Sequence, residues 1–417
     1  MHPARATGVP ATPTPSDARA GPLRWPIVPV IDFPDRFLWG TATAAHQIEG
    51  GNVNNDWWQF EHDPEAHCAD VSGDACDSFN RYPDDIGLVA GLGLSAYRFS
   101  LEWSRIEPEE GEFSRVALDH YRRMAALCHE RGILPVVTFH HFTHPRWMAA
   151  AGGWEARRAP DRFARYCERA TAHLGDLIGM ACTINEPNMV STMGWRLGLF
   201  PPRVRDRQRR DVVNRALVVA HRRAVQAIRS GPGEAPVGLT LSMTDYQVQP
   251  GGEQWLERLR RPSEDVFLEA TAGDDFIGVQ TYTRMRVGPD GPLAAEEGVA
   301  TTQMGYEFWP EALEACIRRA TEVTGGLPVY VTENGIGTGD DASRIDYVGR
   351  ALAGVGRCLD DGIDVRGYFY WSLLDNFEWV LGYGPTFGLV AVDRDTFERR
   401  PKPSAAWLSG VAGANRL

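Results

Sequence analysis

The chain lacks any run of about 18 apolar residues, the length a membrane-spanning helix requires. A helical membrane protein is thereby excluded. No Cys-x-x-Cys pair occurs among its seven cysteines, and the count is odd. Reduced cytosolic thiols fit that pattern better than a disulfide framework. Cys68 and Cys76 are close enough in sequence to leave a pairing open. No glycine-rich phosphate loop follows the first apolar segment, which counts against a doubly wound dinucleotide-binding sheet. Nucleotide, flavin and metal motifs are also absent, so no cofactor is expected. The first 30 residues are rich in proline and alanine and lack the apolar centre of a signal peptide. They read as a disordered tail before one catalytic domain over residues 31–417, in a cytoplasmic protein. Excess positive charge is missing too: 43 Lys and Arg stand against 55 Asp and Glu, a net charge of -12. Nucleic acid and an anionic membrane are therefore poor partners, and a small-molecule substrate suits the chain better. The oligomeric state stays open.

What the chain does have is rings. Aromatic residues make up 10% of it, with 13 Trp. Flat apolar rings suit the faces of sugars, but a Trp-rich core would look the same. Eight short apolar segments alternate with longer amphipathic ones. The segments are Phe37–Ala42, Ala96–Ser100, Leu134–Phe139, Met180–Asn185, Val237–Leu241, Phe276–Thr281, Val329–Thr332 and Val365–Trp371. Eight near-continuous apolar strands alternating with helices predict an α/β fold, a single (β/α)8 barrel. The stretch Gln247–Thr271 is the least regular. It reads as an excursion between the fifth and sixth strands, outside the barrel or at its mouth.

Chemistry in such a barrel gathers at the C-terminal ends of the strands. Glu186 follows the fourth strand and Glu333 the seventh, while Gln47, Arg98, His141, Tyr282 and Trp371 fall at or just after other strand ends. Cleaving a glycoside needs a proton donor for the leaving oxygen and help at the anomeric carbon, which two opposed carboxyl groups supply. Glu186 and Glu333 lie 147 residues apart, three βα units, and so face each other across the mouth. A gap of roughly 5 Å would make one of them a nucleophile. Either Glu alone could be an ordinary solvated loop carboxylate. His140, His141 and His144 are close in sequence, but no carboxylate accompanies them as a metal partner.

Five motifs then carry a resemblance: Gln47-Ile48-Glu49-Gly50; Arg98-Phe99-Ser100 with Trp103-Ser104-Arg105-Ile106; Thr183-Ile184-Asn185-Glu186-Pro187; Thr332-Glu333-Asn334-Gly335; and the run from Trp371 to Trp379. On these, from about Phe37 to Trp407, the chain resembles glycoside hydrolase family 1, the β-glucosidase and β-galactosidase family. The resemblance implies Glu186 as acid/base and Glu333 as nucleophile of a retaining enzyme acting on terminal β-D-glucosyl, galactosyl or fucosyl groups. It implies sugar contacts from Gln47, His141, Asn185, Tyr282, Trp371, Glu378 and Trp379. Arg98 and the Tyr282 hydroxyl are expected to hold Glu333. Glu378 would repel a 6-phosphate, which predicts unphosphorylated substrates, and an intact Glu186 predicts O-glycosides.

The family pattern is broken in places. Phe142 stands where Trp is common, Gln280 and Thr281 replace Asn and Tyr, and Thr386 replaces Arg before Phe387. The excursion after the fifth strand is short, which suggests an open leaving-group side. Two alternatives share the sequence. One is a transglycosylase using the same glycosyl-enzyme intermediate, and the other is a non-catalytic sugar-binding protein.

Overall fold

A computed structural model describes residues 30–417. Eight parallel strands close a barrel in sequence order: β1 (Leu38–Ala42), β2 (Ala96–Ser100), β3 (Leu134–His140), β4 (Met180–Asn185), β5 (Val237–Ser242), β6 (Phe276–Gln280), β7 (Val329–Asn334) and β8 (Val365–Trp371). Closure comes from β1 against β8, Leu38 opposite Gly367 through Ala42 opposite Trp371. The fold is therefore the expected (β/α)8 barrel, and every strand end agrees with its expected position to within two residues. The tail expected over residues 1–30 lies, Val30 apart, outside the described residues.

The strands read as unbroken apolar runs because both faces are covered. β2 and β4 are buried at every position. Outward faces meet amphipathic helices, as Arg115–Glu130 shows. Ser114 caps its N-terminus by accepting from the Ala117 amide, satisfying an otherwise orphaned donor. Its buried stripe, Leu118, Tyr121, Ala125 and Cys128, recurs at helical spacing. Inside the barrel, Ala96, Val136, Met180, Cys182, Phe276 and Phe369 pack together near the N-terminal end. Apolar side chains thus plug the floor and leave polar groups for the open end.

Two expectations need correction. The stretch Gln247–Thr271 is largely regular: a short strand (Asp245–Val248), a helix (Glu253–Arg260) and further helical turns to Thr271. Gly251-Gly252 and Pro262 interrupt it, and the regular helix is only eight residues long, about two turns, which hides it in the sequence. The short strand pairs in parallel with Arg284–Gly288, which follows β6, and Gly291–Pro292 completes a three-stranded sheet separate from the barrel. Arg98 is the second case. It lies in the middle of β2, not at its end, with its side chain fully buried. All seven cysteines are free thiols, so Cys68 and Cys76 are unpaired. Among the described residues no helix is long and apolar enough to cross a membrane.

Glycine provides the interior space at one decisive place. A Cβ on Gly278 would sit 2.6 Å from the Thr240 methyl and 2.7 Å from the Thr332 hydroxyl. On Gly410, in the outer helix Pro403–Ala414, it would meet nothing within 4 Å. The two alanine variants should therefore shift stability in opposite directions. Gly278→Ala should lose about 1–3 kcal/mol by overpacking. Gly410→Ala should gain up to about 1 kcal/mol from helix propensity. Denaturant titration of both variants checks the pair, and equal shifts would contradict the packing account.

Candidate active site

The strands that carry the two carboxylates both lose regular register just before them. Pairing of β7 shifts between Val331 and Glu333, and that of β4 between Cys182 and Asn185. Irregularities of this kind re-aim side chains. Glu186 itself adopts a left-handed backbone, φ 44°, before Pro187 opens a helix. Phe142 and Trp379, at φ 68° and 51°, share that rare conformation. All three line one cavity of about 240 Å³, and they are three of the nine non-glycine residues with positive φ among the described residues. Gln47, His141, Tyr282, Glu333, Trp371 and Glu378 line it as well. Arg98 and Asn185, both fully buried, lie beneath them.

Glu333 is held from several sides. Arg98 Nη1 donates to its Oε1 at 2.6 Å, and the Tyr282 hydroxyl donates to its Oε2 at 2.7 Å. Gln280 Nε2 also donates to Oε1, at 2.8 Å. The expected grip of Arg98 and Tyr282 is thus present, with Gln280 as a third donor that had been noted only as a departure. Asn185 is fixed by the same groups. Its Oδ1 accepts from Arg98 Nη2 at 2.5 Å and Gln280 Nε2 at 2.8 Å. That leaves its amide Nδ2 to donate to His141 Nε2 at 3.2 Å. His141 is then the Nδ1-protonated tautomer. Burial, the Arg98 charge and His140 together keep its ring neutral, well below the usual range.

The two carboxyl groups differ in surroundings. Burial and the negative charge of Glu333 push Glu186 well above the ordinary carboxylate range. What opposes the rise is the Ser242 hydroxyl, and Arg98 acting only through space. Burial raises Glu333 too, but Arg98 and Tyr282 oppose it through direct contact. Glu333 is therefore the readier of the two to ionise. A third carboxyl, Glu378, is raised to about 8 by burial and by Glu333, and Gln47 opposes this through its amide. Gln47 Nε2 reaches Glu378 Oε2 at 3.4 Å and the Phe377 carbonyl at 2.8 Å, while its Oε1 is buried without a partner. His141 lies flat against Trp371, ring centroids 5.7 Å apart at 16°, and against Trp379 at 6.2 Å and 14°. One side of the cavity thus combines stacked rings with hydrogen-bonding edges.

His140 and His144 turn away from this cavity and pack on Trp154. Sequence reasoning did not find Met189, Met193, Phe200, Met304, Tyr306 or Leu381, which complete the lining. Met189 and Met193 sit on the helical turns after β4 and Leu381 on the short turn Trp379–Leu381, the others on loops; none carries a motif, and the helical spacing of Met189 and Met193 was the only faint signal.

Comparisons with known proteins agree with this geometry. The family profile described as glycosyl hydrolase family 1 matches residues 30–271 and 271–417. The chain is 31% identical to β-glucosidase A of Acetivibrio thermocellus, over 92% of this chain and 99% of that protein. It is also 31% identical to a bifunctional β-D-glucosidase/β-D-fucosidase of Bifidobacterium breve, over 90% and 97%. A β-glycosidase crystal structure, 51% identical, superposes with a TM-score of 0.86 over 91% of this chain and 97% of that one. The chain belongs to glycosyl hydrolase family 1, as a glycoside hydrolase of the β-glycosidase kind.

Proposed function

We propose that the protein hydrolyses terminal β-D-glucosyl residues of unphosphorylated O-glycosides with retention, taking galactosyl and fucosyl groups as side substrates. Residues 31–417 form its catalytic unit, and seven free thiols fit a reducing cytosol. The observation that carries the reading is the contrast between two buried carboxyls in one cavity. Glu333 is clamped by a cation and two neutral donors, whereas Glu186 has no cation in direct contact. The relatives named for glucosidase and fucosidase activity support the sugar preference.

In this reading Glu333 attacks the anomeric carbon as a carboxylate and forms a glycosyl ester. Glu186 gives its proton to the departing oxygen, so the alcohol leaves neutral. Ester formation removes the Glu333 charge that had raised Glu186. The Glu186 pKa then falls, and its carboxylate takes a proton from the water that cleaves the ester. Asn185, locked by Arg98 and Gln280, presents its amide to the sugar 2-hydroxyl. His141, Gln47, Glu378 and Trp379 take the remaining hydroxyls, and Trp371 lies under the ring.

Glu333→Gln should lower kcat on p-nitrophenyl β-D-glucoside by about 10³-fold or more without unfolding the chain. Glu186→Ala supplied with azide should give the β-glycosyl azide, and an α-azide would refute retention. The pH profile follows from the two environments. kcat/KM should fall on the acid side as Glu333 takes up a proton and on the alkaline side as Glu186 loses one. With an activated aryl glucoside, Glu186→Ala should keep the acid limb and lose the alkaline one. An alkaline limb unchanged in that variant would remove Glu186 from the acid role. No Lys or Arg among the described residues lines the cavity to neutralise a 6-phosphate, and the Glu378 carboxyl stands in its wall, so 6-phosphoglucosides should be cleaved more slowly than plain glucosides. The reverse order would overturn the assignment of unphosphorylated substrates.

A further inference from the structure

A second cavity, about 370 Å³, adjoins the first on the side of Glu186. The two share Met189, Ser242, Tyr282 and Tyr306. Ser242 is the hydroxyl neighbour of Glu186. The oxygen that Glu186 protonates therefore lies toward this side chamber, and the group it carries has the chamber before it. We propose that the chamber receives the leaving group, and that the leaving group is an uncharged apolar one, alkyl or flat aromatic, not a second sugar. This assignment rests on the hydrolytic reading given above.

The wall chemistry carries it. Met243, Met285, Pro292 and Leu293 line the chamber together with Met189 at the junction. Thioethers are apolar and adaptable, and suit flat or chain-like groups of more than one shape. Two arginines also reach the wall, each beside carboxylates that balance its charge, although Arg286 Nε is buried without a hydrogen-bond partner. Arg284 bonds to Glu307, Glu296 and Gln247, and its guanidinium lies 3.7 Å from the Trp309 ring centre. Arg286 donates to the Ala294 carbonyl, with Glu296 and Glu307 within 3.7 Å. Two cations thus face two anions, leaving no net charge to draw an ionic ligand. A second glucose brings several hydroxyls, each costly to bury without a partner. The outer rim has the same character, with Leu381 40% exposed and Tyr306 38% exposed at the mouth of the first cavity.

The alkyl β-D-glucosides test this cleanly, because methyl, butyl, hexyl and octyl alcohols differ little as leaving groups. Rising kcat/KM along the series then reports burial of the chain. It should climb by up to about fourfold per methylene, the transfer value for a buried CH2. Octyl glucoside, kept below its micelle concentration, should exceed cellobiose. Met285 and Leu293 line the side chamber only, so Met285→Asp and Leu293→Asp should each flatten the slope of the series. A flat series in the unmodified protein, or cellobiose above octyl glucoside, overturns the proposal. A slope that survives in both variants, with folding checked by circular dichroism, overturns the placement. Hydrolysis of p-nitrophenyl β-D-glucoside separates the two readings. If it is cleaved while the series is flat, only this inference fails, and if no β-glucoside is cleaved, the hydrolytic reading fails with it.

Discussion

The architecture turns on one buried guanidinium. Arg98 is 0% exposed in the middle of β2, where an unpaired cation would not survive. Its charge is met by Glu333, and its remaining donors by oxygens from neighbouring strands: Thr138 on β3, Asn185 on β4, Thr240 on β5 and the Thr332 carbonyl on β7. Four of the other seven strands thus converge on a single side chain. Removing one partner of a buried pair typically costs about 3–5 kcal/mol, because the other is left uncompensated. The barrel register and the position of Glu333 are therefore fixed by the same interaction. Gly278 belongs to this arrangement, since a methyl there would push on Thr240 and Thr332 at the edge of the guanidinium.

The same cation divides the labour between the carboxyl groups. Arg98 touches Glu333 and reaches Glu186 only through space. One buried charge then produces two acidities in one cavity, because contact relieves burial for Glu333 and distance does not for Glu186. Gln280 tightens the link. Its side chain is one methylene longer than that of asparagine, and its Nε2 reaches both Glu333 and Asn185 at 2.8 Å. A carboxylate and an amide that the proposed cycle uses at adjacent sugar atoms are thereby held as one unit. Preorganisation of this sort places charge where it is needed without rearrangement during the reaction.

Much of this was legible in the sequence, for a physical reason. Parallel strands buried on both faces must be apolar throughout, so each one announces itself without help from its neighbours. Glu186 and Glu333 stand out because a carboxylate directly after such a run is costly unless the site uses it. Depth is another matter. Arg98 reads as a strand residue, but nothing local says that its side chain points into the barrel, since the partners that neutralise it come from residues 138, 185, 240 and 333. Gln280 hid similarly: its role exists only once β4, β6 and β7 lie side by side. The stretch Gln247–Thr271 is the excursion expected between β5 and β6, but its regularity was missed because its helix is only eight residues long and is broken on both sides by glycine and proline.

Constraint also divides between strand and loop. Residues on the strands share one hydrogen-bond ladder around the barrel, so a change at Arg98 or Gly278 acts on stability and on chemistry together. Residues at the mouth are held by local contacts. Tyr306, Met304 and Leu381 come from the segments after β6 and β8 and pair with no barrel strand. A side chain there can change without disturbing the floor. Selectivity for the leaving group is accordingly the property this scaffold can alter at least cost in stability, while the machinery around Arg98 tolerates little change. The departures from the family pattern divide the same way. Gln280, at the end of β6, keeps a donor aimed at Glu333, whereas Phe142, at the mouth, replaces a ring that carries an indole N–H with one that has no hydrogen-bonding group at all.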